Sequence, residues 1–171
     1  EESNPETVSE EPAGNPSGDA AAIGTQFNAF RGPGSNGIAF NKNVPINWNG
    51  ETGENIRWKT PIPLPGFNSP VIWDDRLFLT GAKADQKEVY GLDRHSGEIL
   101  WKAKVENVPG SPASPPDVPD YTGHAASTVA ADGNNVYAIF FDGDIAAFDF
   151  EGNLQWSRNL GVPDNHYGYA S

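Results

Sequence analysis

Two stretches of this chain close on the same pattern. Gly91-Leu92-Asp93-Arg94-His95-Ser96-Gly97-Glu98-Ile99-Leu100-Trp101 and Ala147-Phe148-Asp149-Phe150-Glu151-Gly152-Asn153-Leu154-Gln155-Trp156 each set a small residue and an Asp before a glycine turn. In both, a Trp stands four residues after the glycine, and two β-rich runs precede the pattern. A self-similar unit of this size commits a chain to a repeat architecture, because one unit cannot bury its apolar faces alone. Two units are too few to close a ring. The expectation is therefore a portion of a longer repeat protein, whose outer faces would otherwise lie open.

Composition agrees with short strands and tight turns. The 171 residues include 19 Gly and 15 Pro, and no long amphipathic helical run is present. The net charge of −12 argues against a nucleic-acid backbone as partner, since phosphate binding needs clustered Lys and Arg. There is no Cys, so disulfides, thiolate metal sites and cysteine nucleophiles are excluded within this stretch. No run of roughly 18 apolar residues occurs, so no membrane-spanning helix is expected.

Residues 1–22 read as a disordered acidic linker. Glu1, Glu2, Glu6, Glu10, Glu11 and Asp19 are unbalanced by any Lys or Arg, and Val8 is the single sizeable apolar side chain. Such a segment cannot bury enough surface to offset its ordering entropy. It also suits the spacer that follows a lipid anchor, and the absence of Met in the chain fits a processed N-terminus. Asp19 is placed to cap a short helix over Ala20 to Phe30.

Beyond it, the alternation of Ile56, Trp58 and Thr60 with Arg57 and Lys59 predicts a half-buried strand, within a blade-closing segment at 44–60. A first unit spans 66–105, with strands over Ser69–Trp73, Arg76–Thr80, Glu88–Asp93 and Ile99–Val105. Pro109, Pro112, Pro115, Pro116 and Pro119 make 106–123 an insertion that cannot form a ladder. A second unit spans 124–160, with strands over Ser127–Ala131, Val136–Phe141, Ile145–Asp149 and Leu154–Leu160. Its Asp-Gly dipeptides between β-rich runs are strong hairpin signals. Gly168-Tyr169-Ala170-Ser171 echoes Gly66-Phe67-Asn68-Ser69 and Gly123-His124-Ala125-Ala126-Ser127, so a third unit opens at 166–171. The fold class is all-β: a partial β-propeller of two four-stranded antiparallel blades, a closing strand and the start of a third blade.

The pattern small-x-Asp-x-x-Thr/Ser-Gly-x-x-x-Trp resembles the tryptophan-docking repeat of the pyrroloquinoline-quinone-like (PQQ-like) propellers. The first unit carries it at Gly91, Asp93, Ser96, Gly97 and Trp101; the second at Ala147, Asp149, Gly152 and Trp156, with a turn one residue shorter. Trp58 resembles the unit-ending Trp101 and Trp156. Phe27-Asn28-Ala29-Phe30-Arg31-Gly32-Pro33 is similar to the opening of bacterial members. The resemblance covers 27–171 and implies closure with about seven or eight blades. It gives Asp93, Gly97, Trp101, Asp149, Gly152, Trp156 and Trp58 a structural role in turns and blade packing.

The resemblance also implies that loops leading into each blade converge on one mouth of the ring. Here they bring Phe67, Tyr121, His124, His166, Tyr167 and Tyr169, an array of rings suited to a ligand or a partner peptide. Asp117, Asp120, Asp164, His124 and His166 lack ligand spacing, so no metal site is expected. No catalytic residues are assigned, because no nucleophile–base–acid arrangement is legible. The leading function is a non-enzymatic scaffold of the bacterial envelope with protein partners, in the periplasm or at the outer membrane. Its distant relatives would include the lipoprotein propeller of the outer-membrane barrel-assembly machinery. No cofactor is expected under this reading. The alternatives are a quinoprotein dehydrogenase using PQQ and Ca²⁺, weakened by the absence of the adjacent Cys pair many such enzymes carry, and a carbohydrate-binding accessory propeller.

Overall fold

A computed structural model describes residues 24–39, 42 and 44–162. The acidic segment at 1–22 and the unit opening at 166–171 lie outside the described residues. The described chain is a partial β-propeller made of two antiparallel four-stranded blades. Blade one contains β1 (Val71–Trp73), β2 (Arg76–Lys83), β3 (Gln86–Asp93) and β4 (Ile99–Lys104). Blade two contains β5 (Ala130–Ala131), β6 (Asn135–Ile139), β7 (Asp144–Asp149) and β8 (Leu154–Asn159). Strand order within each blade follows the sequence, as tight turns require. No helix among the described residues is long and apolar enough to cross a membrane.

The strands differ from the sequence expectation at their ends. β2 runs on past Thr80 to Lys83, and Lys83 pairs with Gln86 across a two-residue turn. Gly81 is tolerated inside β2 because another backbone crosses it: a Cβ there would meet the Leu64 carbonyl oxygen at 2.6 Å. The inner strands are shorter than expected. β1 begins at Val71, not Ser69, and β5 holds two residues, not the five of Ser127–Ala131.

Residues 44–60, expected to close a blade, pair with neither of the two blades among the described residues. Residues 49–54 make a turn held by the isolated Asn49–Glu54 bridge, and 56–65 extend without a ladder. The period-two pattern is nevertheless real, because Ile56, Trp58, Thr60 and Ile62 are half-buried while their neighbours are exposed. Beyond Thr60, Pro61, Pro63 and Pro65 remove donors at every second position, which disfavours a ladder there. Side chains hold it instead. Trp58 Nε1 donates to the Arg94 carbonyl at 2.9 Å, and Thr60 Oγ1 to the Gly97 carbonyl at 2.6 Å.

The expected helix before residue 30 is also absent from the described part of that span, which forms turns and one bridge. Ile72 N donates to Phe27 O, and Ala131 N donates to Asn28 O. Asn28 Nδ2 returns a bond to Ala131 O at 3.1 Å. Two adjacent residues thus tie the first strand of each blade together.

The main core lies between the blades. Val71, Phe78 and Val89 face Val136, Ala138, Phe140, Ala146 and Phe148, all essentially buried. Full burial of each larger side chain contributes about 1.5–3 kcal/mol. A second cluster of Leu77, Tyr90 and Leu92 on the other face of blade one is covered by Trp58 and Ile62. The continuously apolar Leu77-Phe78-Leu79 reflects a strand covered on both sides.

Candidate binding site between the lead-in loops

The two loops that lead into the blades are bonded to one another. Phe67 N donates to Ala125 O at 2.9 Å, and Ser69 N to Thr128 Oγ1 at 3.1 Å. Asn68 locks the joint: its Nδ2 donates to both Thr80 O and Ala125 O, and its Oδ1 accepts from Thr80 N. The repeated Gly-aromatic-small-Ser echo marks these loops in the sequence, but it does not show that Asn68 joins them.

A cavity of about 220 Å³ opens above this joint, lined by Pro65, Gly66, Phe67, Ala82, Val118, Asp120, Gly123 and His124. Phe67 is 63% exposed. Its ring lies so close to Gly123 that a Cβ there would sit 3.3 Å away, and Gly123 has φ +59. His124 is held edge-on to the buried Phe141, with ring centres 4.6 Å apart. The third wall comes from the proline-rich insertion. Pro119 O accepts from Thr122 N, Gly123 N and Thr122 Oγ1, which fixes Asp120 and Tyr121 in a tight turn.

Phe67 and His124 are therefore brought together. Tyr121 is 70% exposed and does not line the cavity. His166, Tyr167 and Tyr169 lie outside the described residues. Among the described residues no group of three or more His, Cys, Asp or Glu could hold a metal. The cavity has one carboxylate and no Lys or Arg in its lining, which does not suit a multiply anionic quinone.

The repeat residues occupy two matching turns. Trp101 Nε1 donates to Phe150 O at 2.8 Å, and its indole covers Gly152 of the next blade. Trp58 does the same one blade earlier, covering Gly97 and bonding Arg94 O. Asp93 Oδ1 accepts from His95 N, Ser96 N and Ser96 Oγ. Asp149 accepts from Glu151 N and Asn153 N, and from the side-chain amides of Asn153 and Gln155. Trp156 is 41% exposed, 6.1 Å from the Tyr137 ring.

One cluster escaped the sequence reading. Lys87 of β3 pairs with Asp142 and Asp144 of the β6–β7 hairpin, and all three side chains are nearly buried. Ser111 Oγ and Asn159 Nδ2 also donate to Asp144. Asp142-Gly143-Asp144 looks like a solvated turn in sequence, and only the arrival of Lys87 from another blade makes it a buried pin.

A family profile described as outer membrane protein assembly factor BamB matches residues 17–168. The chain belongs to this family. Comparison with curated protein sequences returned no match. Among solved structures, BamB of Moraxella catarrhalis is 23% identical, with a TM-score of 0.44 over 64% of this chain and 29% of its own. The quinohemoprotein alcohol dehydrogenase of Comamonas testosteroni is 21% identical, with a TM-score of 0.39 over 56% of this chain and 13% of its own. A quinohemoprotein alcohol dehydrogenase of Pseudomonas putida HK5 is 23% identical, with a TM-score of 0.41 over 64% and 15%. The matched part of this BamB-family chain thus covers under a third of the length of each.

Proposed function

We propose that this BamB-family chain is part of a non-enzymatic scaffolding propeller of the bacterial cell envelope, which offers its lead-in loops to protein partners in an outer-membrane or periplasmic assembly. The observation that carries this reading is Phe67, a large ring held exposed by loops that are themselves cross-bonded. A preorganised aromatic anchor binds partners with little further ordering cost. Tyr121 on the adjoining turn extends the same surface. Anchoring through a lipid ahead of the acidic segment belongs to this reading. Family membership supports the envelope setting. The test is capture from detergent-solubilised outer membranes with immobilised protein, followed by mass spectrometry. Specific envelope proteins should be retained by the wild type and lost by Phe67→Ser and Tyr121→Ser, whose melting stays unchanged. Capture insensitive to both substitutions, or turnover of an alcohol dependent on PQQ and Ca²⁺, would overturn it.

A further inference from the structure

We propose that the cavity between the lead-in loops receives one basic side chain, an arginine or lysine presented by a partner protein. This rests on the scaffolding reading above and adds the chemistry of the anchor. At about 220 Å³ the cavity is smaller than sites built for cofactors, which run roughly 300–1,000 Å³, and suits a side chain. Its walls are amphipathic in the sense that Lys and Arg are. Pro65, Ala82 and Val118 offer apolar surface to a methylene stem. Asp120 supplies one carboxylate, and the exposed Phe67 ring offers a face for a cation.

Charge decides between occupants. No Lys or Arg lines the cavity, His124 is its one other titratable side chain, and Asp120 makes no ion pair among the described residues. The chain carries 23 Asp and Glu against 11 Lys and Arg, a balance that disfavours an acidic ligand. A neutral apolar side chain would fill the walls but leave the exposed Asp120 carboxylate at the rim without a partner. A guanidinium or ammonium group satisfies both the carboxylate and the ring.

The probes are three capped tripeptides, Gly-X-Gly with X as arginine, norleucine or glutamate. They are titrated into the intact chain and followed by the aromatic NMR signals of Phe67 and His124. The arginine peptide should give saturable shifts with Kd of roughly millimolar, as expected for one side chain. Norleucine should bind at least about tenfold more weakly and glutamate not at all, one factor of ten being the usual worth of a charge-assisted contact. Asp120→Asn should reduce arginine affinity several-fold, and Phe67→Leu should remove the preference for arginine over norleucine. Equal binding of norleucine and arginine, an Asp120→Asn variant that binds as the wild type does, or no shift with any peptide would overturn the proposal. The scaffolding reading fails separately. If membrane capture is lost in Phe67→Ser but untouched by Asp120→Asn, the partner surface stands and the basic anchor does not.

Discussion

Gly152 must be glycine for two reasons that can be measured apart. Its φ is +88, and a Cβ would lie 2.7 Å from the Trp101 ring. Gly161 has φ +86 with nothing within 4 Å of the same position. Gly161→Ala should therefore cost only the backbone strain, about 1–2 kcal/mol. Gly152→Ala should cost more, because the indole must also give way, and urea denaturation of the two variants reads the difference. The buried polar residues make a similar contrast. Thr80 Oγ1 is buried without a partner among the described residues. Thr80→Val removes an unsatisfied group at nearly constant shape, so stability should hold or rise by up to about 1 kcal/mol. Lys87→Met leaves the Asp142 and Asp144 carboxylates buried without their cation, and should cost about 3–5 kcal/mol in the same assay.

At the scale of elements, the bulges explain how one strand serves two neighbours. In blade one, Gly91 pairs with Trp101 and Leu92 with Ile99, so Leu100 is skipped. Ile99 can then face Leu92 and Trp58 while Trp101 points to blade two. Blade two repeats this with Ala147–Trp156 and Phe148–Leu154. The turns beside these bulges are held by carboxylates. The Ser96 backbone N–H chiefly lowers the pKa of Asp93, and the Asn153 side-chain amide that of Asp149. Burial opposes ionisation of Asp132, but the Tyr137 hydroxyl and the Asn135 and Asn134 N–H groups outweigh it. Each titrates lower folded than unfolded, so its stabilisation is complete above the ordinary pKa of about 4 and disappears as pH falls through the lower folded values. Melting temperature should be flat near neutrality and fall below about pH 4, and Asp149→Asn should flatten that fall.

The sequence made these turns legible because their partners are local: Asp, Gly and Trp recur at fixed spacing. It left Asn28, Asn68 and Lys87 unread because their partners lie 103, 57 and 55 residues away. The period of Ile56, Trp58 and Thr60 predicts a half-buried strand, and the burial is there, but the ladder is not. Of the candidate site, the aromatic loops were apparent. Which rings share a cavity depended on how the 119–123 turn folds, and that excluded Tyr121.

At the scale of the molecule, the two faces of the blade pair are unequal. The outer face of blade one is covered by Trp58, Ile62 and Leu64 from the preceding segment. On blade two, the register places Tyr137, Ala147 and Trp156 in one row and Ile139, Ile145 and Arg158 in the next, both turned away from blade one. Trp156 is the repeat counterpart of Trp58 and Trp101, yet its indole covers no turn glycine among the described residues. An apolar sheet face in this state should drive concentration-dependent association of the 171-residue chain. Ile139 and Ile145 stand directly opposite each other, so Ile139→Lys with Ile145→Glu places complementary charges across the strands at small cost to the blade. Sedimentation velocity should show the wild type associating and the double variant monomeric, with melting changed by the equivalent of less than about 1 kcal/mol. Unchanged association in the double variant would mean that another surface, such as the exposed Ile46 and Trp48 near the start of the described chain, holds the copies together.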